Sequence, residues 1–276
     1  MTIQAELDEI KIKAGLNQSR AMEELAFSCI DLTTLNTTDT RNHVRAFTSR
    51  VNDFGNDYPS LPNVAAVCVY PNMVQSVKET LNQDKVRIVA VAGGFPSSMT
   101  FIDLKVEEAR MAVELGADEI DIVMPLWAFM EGDLITCREE IGTIKKGIGE
   151  ARLKVILETG ILEEPDKIYK ASMLAMESGA DFIKTSTGKV SPAATPEAAF
   201  VMCQAIREFH SRTGYKVGFK PAGGIATTAD AILYLTLVKE VLGEKWMNPG
   251  LFRIGASRLA NHLLGDMLNE EISYFW

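Results

Sequence analysis

At 276 residues, 47% hydrophobic and 24% charged, the chain has the composition of a soluble globular protein with a sizeable core, and its length fits a single α/β barrel of about 250 residues. A formal net charge of −9 argues against general binding to nucleic acid or to an anionic membrane, since phosphate-rich surfaces select basic ones; any phosphate must be met by a local site. No uninterrupted apolar run approaches about 18 residues, and Met1-Thr2-Ile3-Gln4-Ala5-Glu6 has neither a basic nor an apolar leader pattern, which predicts a cytoplasmic protein without a membrane partner.

Residues 1–25 read as a helical extension, with Ile3, Leu7 and Ile10 on one face and Ala21 to Leu25 resuming after a polar break. Apolar or β-branched runs then recur at about 27–33, 64–70, 86–92, 118–124, 153–159, 181–186, 216–220 and 251–255, and most intervals between them carry amphipathic helical patterns. Eight strands alternating with helices predict an α/β fold, a (β/α)8 TIM barrel with a short N-terminal helical extension. Ser97-Ser98 and Thr100 are candidate caps for a helix over 101–115 ending at Gly116. Glu164-Pro165 opens another that ends at Gly179, and Ser191-Pro192 with Thr195-Pro196 opens the next. No Ser/Gly-rich linker divides the chain, so one domain over 1–276 is expected. Cys29, Cys68, Cys137 and Cys203 are widely spaced and contain no CxxC pair, which in an intracellular chain predicts free thiols.

The stretch Asp181-Phe182-Ile183-Lys184-Thr185-Ser186-Thr187-Gly188-Lys189 places a lysine in what reads as a short buried strand. A buried ammonium without a partner tends to lose its proton, and the neutral amine is a nucleophile. The bland alternative is a lysine that reaches solvent or is paired structurally. Glu114-Leu115-Gly116-Ala117-Asp118-Glu119-Ile120-Asp121 recurs sixty-three positions later as Glu177-Ser178-Gly179-Ala180-Asp181-Phe182-Ile183-Lys184, the length of two βα units. Alternate barrel strands contribute to one interior layer, so Asp121 and Lys184 should face each other at the same height. Lys216-Val217-Gly218-Phe219-Lys220 ends the seventh predicted strand with a second lysine at the C-terminal edge, where barrel enzymes keep their active sites. Lys220 would then depress Lys184 toward neutrality, leaving Asp121 to carry protons; a structural ion-pair network is the rival explanation.

Gly223-Gly224 and Gly255-Ala256-Ser257 follow the seventh and eighth predicted strands, where barrels commonly build a phosphate site from backbone N–H groups and a helix N-terminus, although tight turns explain the same residues. Thr187-Gly188-Lys189-Val190 is not a P-loop, because Ile183 and Val190 occupy the places of its first glycine and its Ser/Thr. His43, His210 and His262 fall in helical stretches away from the strand ends, and no metal-ligand spacing occurs. Cys68 on the second predicted strand is by default a buried structural thiol.

With Asp-Phe-Ile-Lys-Thr-Ser-Thr-Gly-Lys, Val-Gly-Phe-Lys-Pro-Ala-Gly-Gly and Asp-Glu-Ile-Asp-Ile-Val in place, the sequence resembles the deoxyribose-phosphate aldolases, a class I family. The likeness runs from Ile30-Asp31-Leu32-Thr33-Thr34-Leu35 through Val155-Ile156-Leu157-Glu158-Thr159-Gly160 to Arg253-Ile254-Gly255-Ala256-Ser257. It implies reversible cleavage of 2-deoxy-D-ribose 5-phosphate to D-glyceraldehyde 3-phosphate and acetaldehyde, without cofactor or metal because a protonated imine is the electron sink. It also implies that Lys184 is the Schiff-base lysine, that Lys220 lowers its pKa, and that Asp121 relays protons. Thr187, Gly188, Lys189, Gly223, Gly224 and Ser257 would hold the phosphate, Asp31 and Lys154 would line the pocket, and the protein would be a homo-oligomer.

The chain departs from the family pattern at Arg258, where relatives commonly have a second serine, and at Ala226, where some have arginine; Arg258 is expected to take over part of the phosphate contact. Some members end in a tyrosine that reaches the site, whereas here Tyr274 is followed by Phe275-Trp276. Two rival readings are a metal-independent phosphosugar isomerase or epimerase and a non-catalytic sugar-phosphate binding barrel.

Overall fold

The structure, a computed structural model, describes residues 3–275; Met1, Thr2 and Trp276, parts of the predicted extension and tail, lie outside the described residues. The extension comprises α1 (Ile3–Asn17) and α2 (Arg20–Ser28), separated where Ser19 caps α2 by accepting the Met22 N–H. Then follow β1 (Ile30–Thr33), α3 (Arg41–Asp57), β2 (Ala66–Val69), α4 (Val74–Thr80), β3 (Arg87–Ala92), α5 (Ile102–Glu114), β4 (Glu119–Val123), α6 (Leu126–Glu131), α7 (Leu134–Gly147) and β5 (Arg152–Ile156). The remainder is α8 (Thr159–Leu162), α9 (Pro165–Glu177), β6 (Phe182–Lys184), α10 (Pro196–Thr213), β7 (Gly218–Lys220), α11 (Thr228–Leu242), β8 (Ile254–Ala256) and α12 (Leu259–Leu268).

The eight strands are parallel in the order β7-β6-β5-β4-β3-β2-β1-β8. The ring closes between β7 and β8, where the N–H groups of Phe219, Arg253 and Gly255 donate to Leu251, Phe219 and Pro221 carbonyls. Both faces of a parallel strand are covered, one by helices and one by the barrel interior, which is why the strands read as continuous apolar runs. The main apolar core fills the layer between barrel and helices, and α1 packs against α10 and α11. Inside the barrel the apolar residues concentrate on one side, where Ala66, Cys68, Val89 and Val91 meet Leu35. No helix among the described residues is long and apolar enough to cross a membrane.

Several local expectations change. The fifth strand stops at Ile156, not near 159, because Glu158 turns into the left-handed region with φ 53° and Thr159 begins α8. Helix α5 has Phe101 at its N-terminus with no side-chain cap; Ser98 instead accepts from the buried Lys105 ammonium at 2.9 Å. Ser191-Pro192 opens no helix, since Thr195 is the residue that caps α10 through the Ala198 N–H.

Candidate active site

Four cations and three carboxylates converge inside the barrel, all with side chains at most 4% exposed. Lys154 Nζ contacts Asp121 Oδ1 at 2.8 Å, Glu119 Oε2 at 2.7 Å and Asp31 Oδ2 at 3.8 Å. Lys220 Nζ lies 2.5 Å from Asp31 Oδ2 and 2.9 Å from Asp121 Oδ2. Arg253 bridges Asp31 Oδ1 at 2.5 Å and Glu119 Oε1 at 2.9 Å. Lys184 contacts a single carboxylate, donating to Asp121 Oδ2 at 2.8 Å. Asp31 Oδ2 and Glu119 Oε2 thus meet their lysines as close ion pairs. The repeat seen in the sequence thus brings Asp121 and Lys184 into direct contact, and the β6–β7 register sets Lys184 beside Lys220.

These contacts sort the titrations. Burial lowers the pKa of Lys184; Asp121 pulls the other way, and Lys220 adds to the lowering. Desolvation is therefore the larger cause, and the neighbouring lysine on which the sequence reading relied is secondary. Burial opposes the charge on Lys220 too, but Asp121 and Asp31 outweigh it and hold the group protonated above the ordinary lysine range. Lys154 is likewise raised, because Asp121 and Glu119 overcome its burial. Asp121 is buried as well, yet Lys154, Lys184 and Lys220 together hold its carboxyl well below the usual range.

Above this floor, at the C-terminal ends of the strands, opens a cavity of about 610 Å³. Lys184, Thr187, Gly188, Lys189, Gly223, Gly224, Ser257 and Arg258 all line it, as does Ala226. Its lining includes three cations and no carboxylate, which suits an anionic ligand. Asp31 and Lys154, expected at the pocket wall, lie beneath it, because each is drawn into the buried ion network. Gly223 and Gly224 both adopt positive φ, 82° and 80°, and the N–H groups of Gly188, Gly224 and Ile225 have no acceptor among the described residues, so they are free to donate to an anion. Thr187, by contrast, donates its hydroxyl to Glu158 Oε2 at 2.6 Å and is not free to donate to a phosphate. Lys189 reaches across to the Leu35 carbonyl at 2.5 Å, and Arg258 is exposed at the foot of α12.

The sequence reading missed Glu119, Arg253 and Glu158. Tyr274 and Phe275 do not line the cavity: Tyr274 donates to Asp57 at 2.6 Å and Phe275 packs on Phe27 and Phe54.

Comparison with known proteins agrees with this geometry. Residues 25–242 match the DeoC/LacD family of aldolases. The deoxyribose-phosphate aldolase of Bos taurus is 45% identical over 244 residues, spanning 85% of this chain and 77% of that one. The Homo sapiens enzyme of the same name is 43% identical over 248 residues, spanning 86% and 78%. The tetrameric deoxyribose phosphate aldolase of Aeropyrum pernix superposes with a TM-score of 0.71 at 25% identity, covering 94% of this chain and 97% of that structure.

Proposed function

The chain belongs to the DeoC/LacD family of aldolases, and on that premise we propose that it cleaves 2-deoxy-D-ribose 5-phosphate reversibly to D-glyceraldehyde 3-phosphate and acetaldehyde through an imine on Lys184. One observation carries the assignment of the nucleophile: among the four buried cations, Lys184 alone lines the cavity and alone contacts a single carboxylate. It is the lysine with the least to hold its proton, and the one a substrate can reach.

The steps follow from that amine. Lys184 adds to the aldehyde carbon of the open-chain sugar, and loss of water leaves a protonated imine. The bond between C2 and C3 breaks; its electron pair moves into an enamine, and the C3 hydroxyl gives up its proton as that half leaves as glyceraldehyde 3-phosphate. Protonation of the enamine at C2 and addition of water release acetaldehyde and restore the amine. Asp121 Oδ2, shared by Lys184 and Lys220, is the position from which protons can be exchanged with the reacting nitrogen and its neighbours. The phosphate sits at the other end of the cavity, on the Gly188, Gly224 and Ile225 N–H groups, with Lys189, Ser257 and Arg258 around it.

Exposed Met99, Phe101 and Leu104 at the start of α5, with Met130 and Ile135 on α6 and α7, support a homo-oligomer, which light scattering would check. The nucleophile is tested by mass spectrometry after borohydride reduction in acetaldehyde. A reduced two-carbon unit on Lys184 is the expected product. Modification of another residue with Lys184 untouched would overturn the assignment.

A further inference from the structure

Glu158 is a buried carboxylate outside the ion network, 2% exposed, with no cation paired to it among the described residues. Its backbone lies in the left-handed region, φ 53° and ψ 59°, which a non-glycine residue adopts at a cost and keeps only where its surroundings hold it. Both carboxylate oxygens are taken up by one residue of the next strand's loop. Oε1 accepts the Thr187 N–H at 3.1 Å, and Oε2 accepts the Thr187 hydroxyl at 2.6 Å. Thr187 Oγ1 in turn accepts the Lys189 N–H at 3.0 Å, so three consecutive residues of the loop are fixed from a single side chain. The middle one, Gly188, backs onto the loop after β7: a Cβ built on Gly223 would lie 3.1 Å from Gly188 Cα and 2.7 Å from Ala193 Cβ. Glu158 on the β5 loop therefore braces the β6 loop, which braces the β7 loop.

We propose that Glu158 is the positioning residue of the anion cup: it sets the affinity for the substrate's phosphate by fixing where the Gly188 N–H and the Lys189 chain point, without touching phosphate or Lys184. The chemistry of the contact explains why a glutamate serves here. A carboxylate takes the N–H and the O–H of one residue on separate oxygens and makes both bonds charge-assisted. A glutamine offers one acceptor and one donor, so it would hold the loop by one bond and turn the Thr187 hydroxyl elsewhere. The inference rests on the phosphorylated-substrate reading above and deepens it.

The test compares the wild type, Glu158→Ala and Glu158→Gln. For each, kcat and KM are measured with 2-deoxyribose 5-phosphate and with unphosphorylated 2-deoxyribose, together with inhibition by inorganic phosphate, borohydride capture of acetaldehyde on Lys184, and the melting temperature. Loss of two anchoring bonds should raise KM for the phosphorylated sugar and weaken inorganic phosphate inhibition in step, by about tenfold in the alanine variant and less in the glutamine variant. Values of kcat, the parameters for the unphosphorylated sugar, and capture on Lys184 should stay at the wild-type level. Equal losses on both sugars, or a folded Glu158→Ala protein with wild-type KM, would overturn the proposal. If the alanine variant does not fold, the same split in the glutamine variant decides. A wild type that shows no preference for the phosphorylated sugar and ignores inorganic phosphate refutes the substrate reading itself, and the inference with it; the wild-type arm tells the two failures apart.

Discussion

Replacing Lys220 by methionine keeps an unbranched side chain one atom shorter but removes an ammonium that shares one oxygen with the proposed nucleophile, Asp121 Oδ2 lying 2.9 Å from Lys220 and 2.8 Å from Lys184. Two charges on a common oxygen sit about 5 Å apart, and at an effective dielectric of about 20 their repulsion is about 3 kcal/mol. Losing that repulsion lets Lys184 keep its proton, as does the undivided attention of Asp121, so both changes raise its pKa. At about 1.4 kcal/mol per decade the neutral amine near pH 7 becomes roughly a hundredfold scarcer. Asp31 loses its 2.5 Å contact with Lys220 but keeps Arg253 on its other oxygen, so the network is not left with an unpaired carboxylate. The expected result is a kcat/KM for 2-deoxyribose 5-phosphate that is down about a hundredfold at pH 7 and climbs back as alkaline buffer restores the neutral amine, with borohydride capture of acetaldehyde on Lys184 following the same curve. A lowered rate with an unchanged pH profile would refute the reasoning and give Lys220 a different task.

Asp121→Asn removes the carboxylate on which three lysines converge; imine capture on Lys184 should persist while turnover falls by roughly 10²–10⁴-fold, and loss of capture in a folded variant would make Asp121 an organiser of the amine instead of a proton carrier. Arg258→Ser should raise KM for the phosphorylated sugar about tenfold or more and leave unphosphorylated deoxyribose nearly unaffected; equal effects on both, or none, would place Arg258 outside the cup. Lys184→Met should abolish activity and yet raise the melting temperature. A lysine whose folded pKa is lowered binds fewer protons folded than unfolded, so its penalty is full below the folded value and fades as pH rises toward the unfolded value near about 10.4. The gain in melting temperature should therefore be largest at neutral pH and below and shrink toward pH 10; a variant that melts lower than the wild type at pH 7 would count against a destabilising amine.

How far the sequence could be read depended on which physical constraint acted locally. Strand count was legible because parallel barrel strands are apolar on both faces, and the pairing of Asp121 with Lys184 was legible because two βα units repeat between them. Strand ends were less so: nothing near Leu157 announces that Glu158 turns left-handed, since the hydrogen bonds holding it come from Thr187 on the next strand's loop. Glu119 and Arg253 carried a signal that went unused. Glu119 stands two residues before the inward Asp121, and Arg253 two before Gly255, so the period-two alternation of a strand points both into the barrel. Depth was the quantity hidden from sequence. Lys154 faces inward, but only the register, which sets it opposite Asp121 and Phe182 and so two residues below the level of Lys184, places it beneath the cavity floor.

That layering also explains why one lysine and not another is singled out. Four cations face three carboxylates inside a barrel whose opposite wall is apolar, and burying an unmatched ammonium is expensive, so the cheapest arrangement has one amine neutral. Arg253 cannot yield its proton, and Lys154 touches three carboxylates. Lys184 and Lys220 stand in register at the same height, yet Asp31 reaches Lys220 and not Lys184. The surplus therefore falls on Lys184. Removing its proton improves the balance of the ion network instead of disturbing it, and the same step would create the proposed nucleophile at the floor of the cavity.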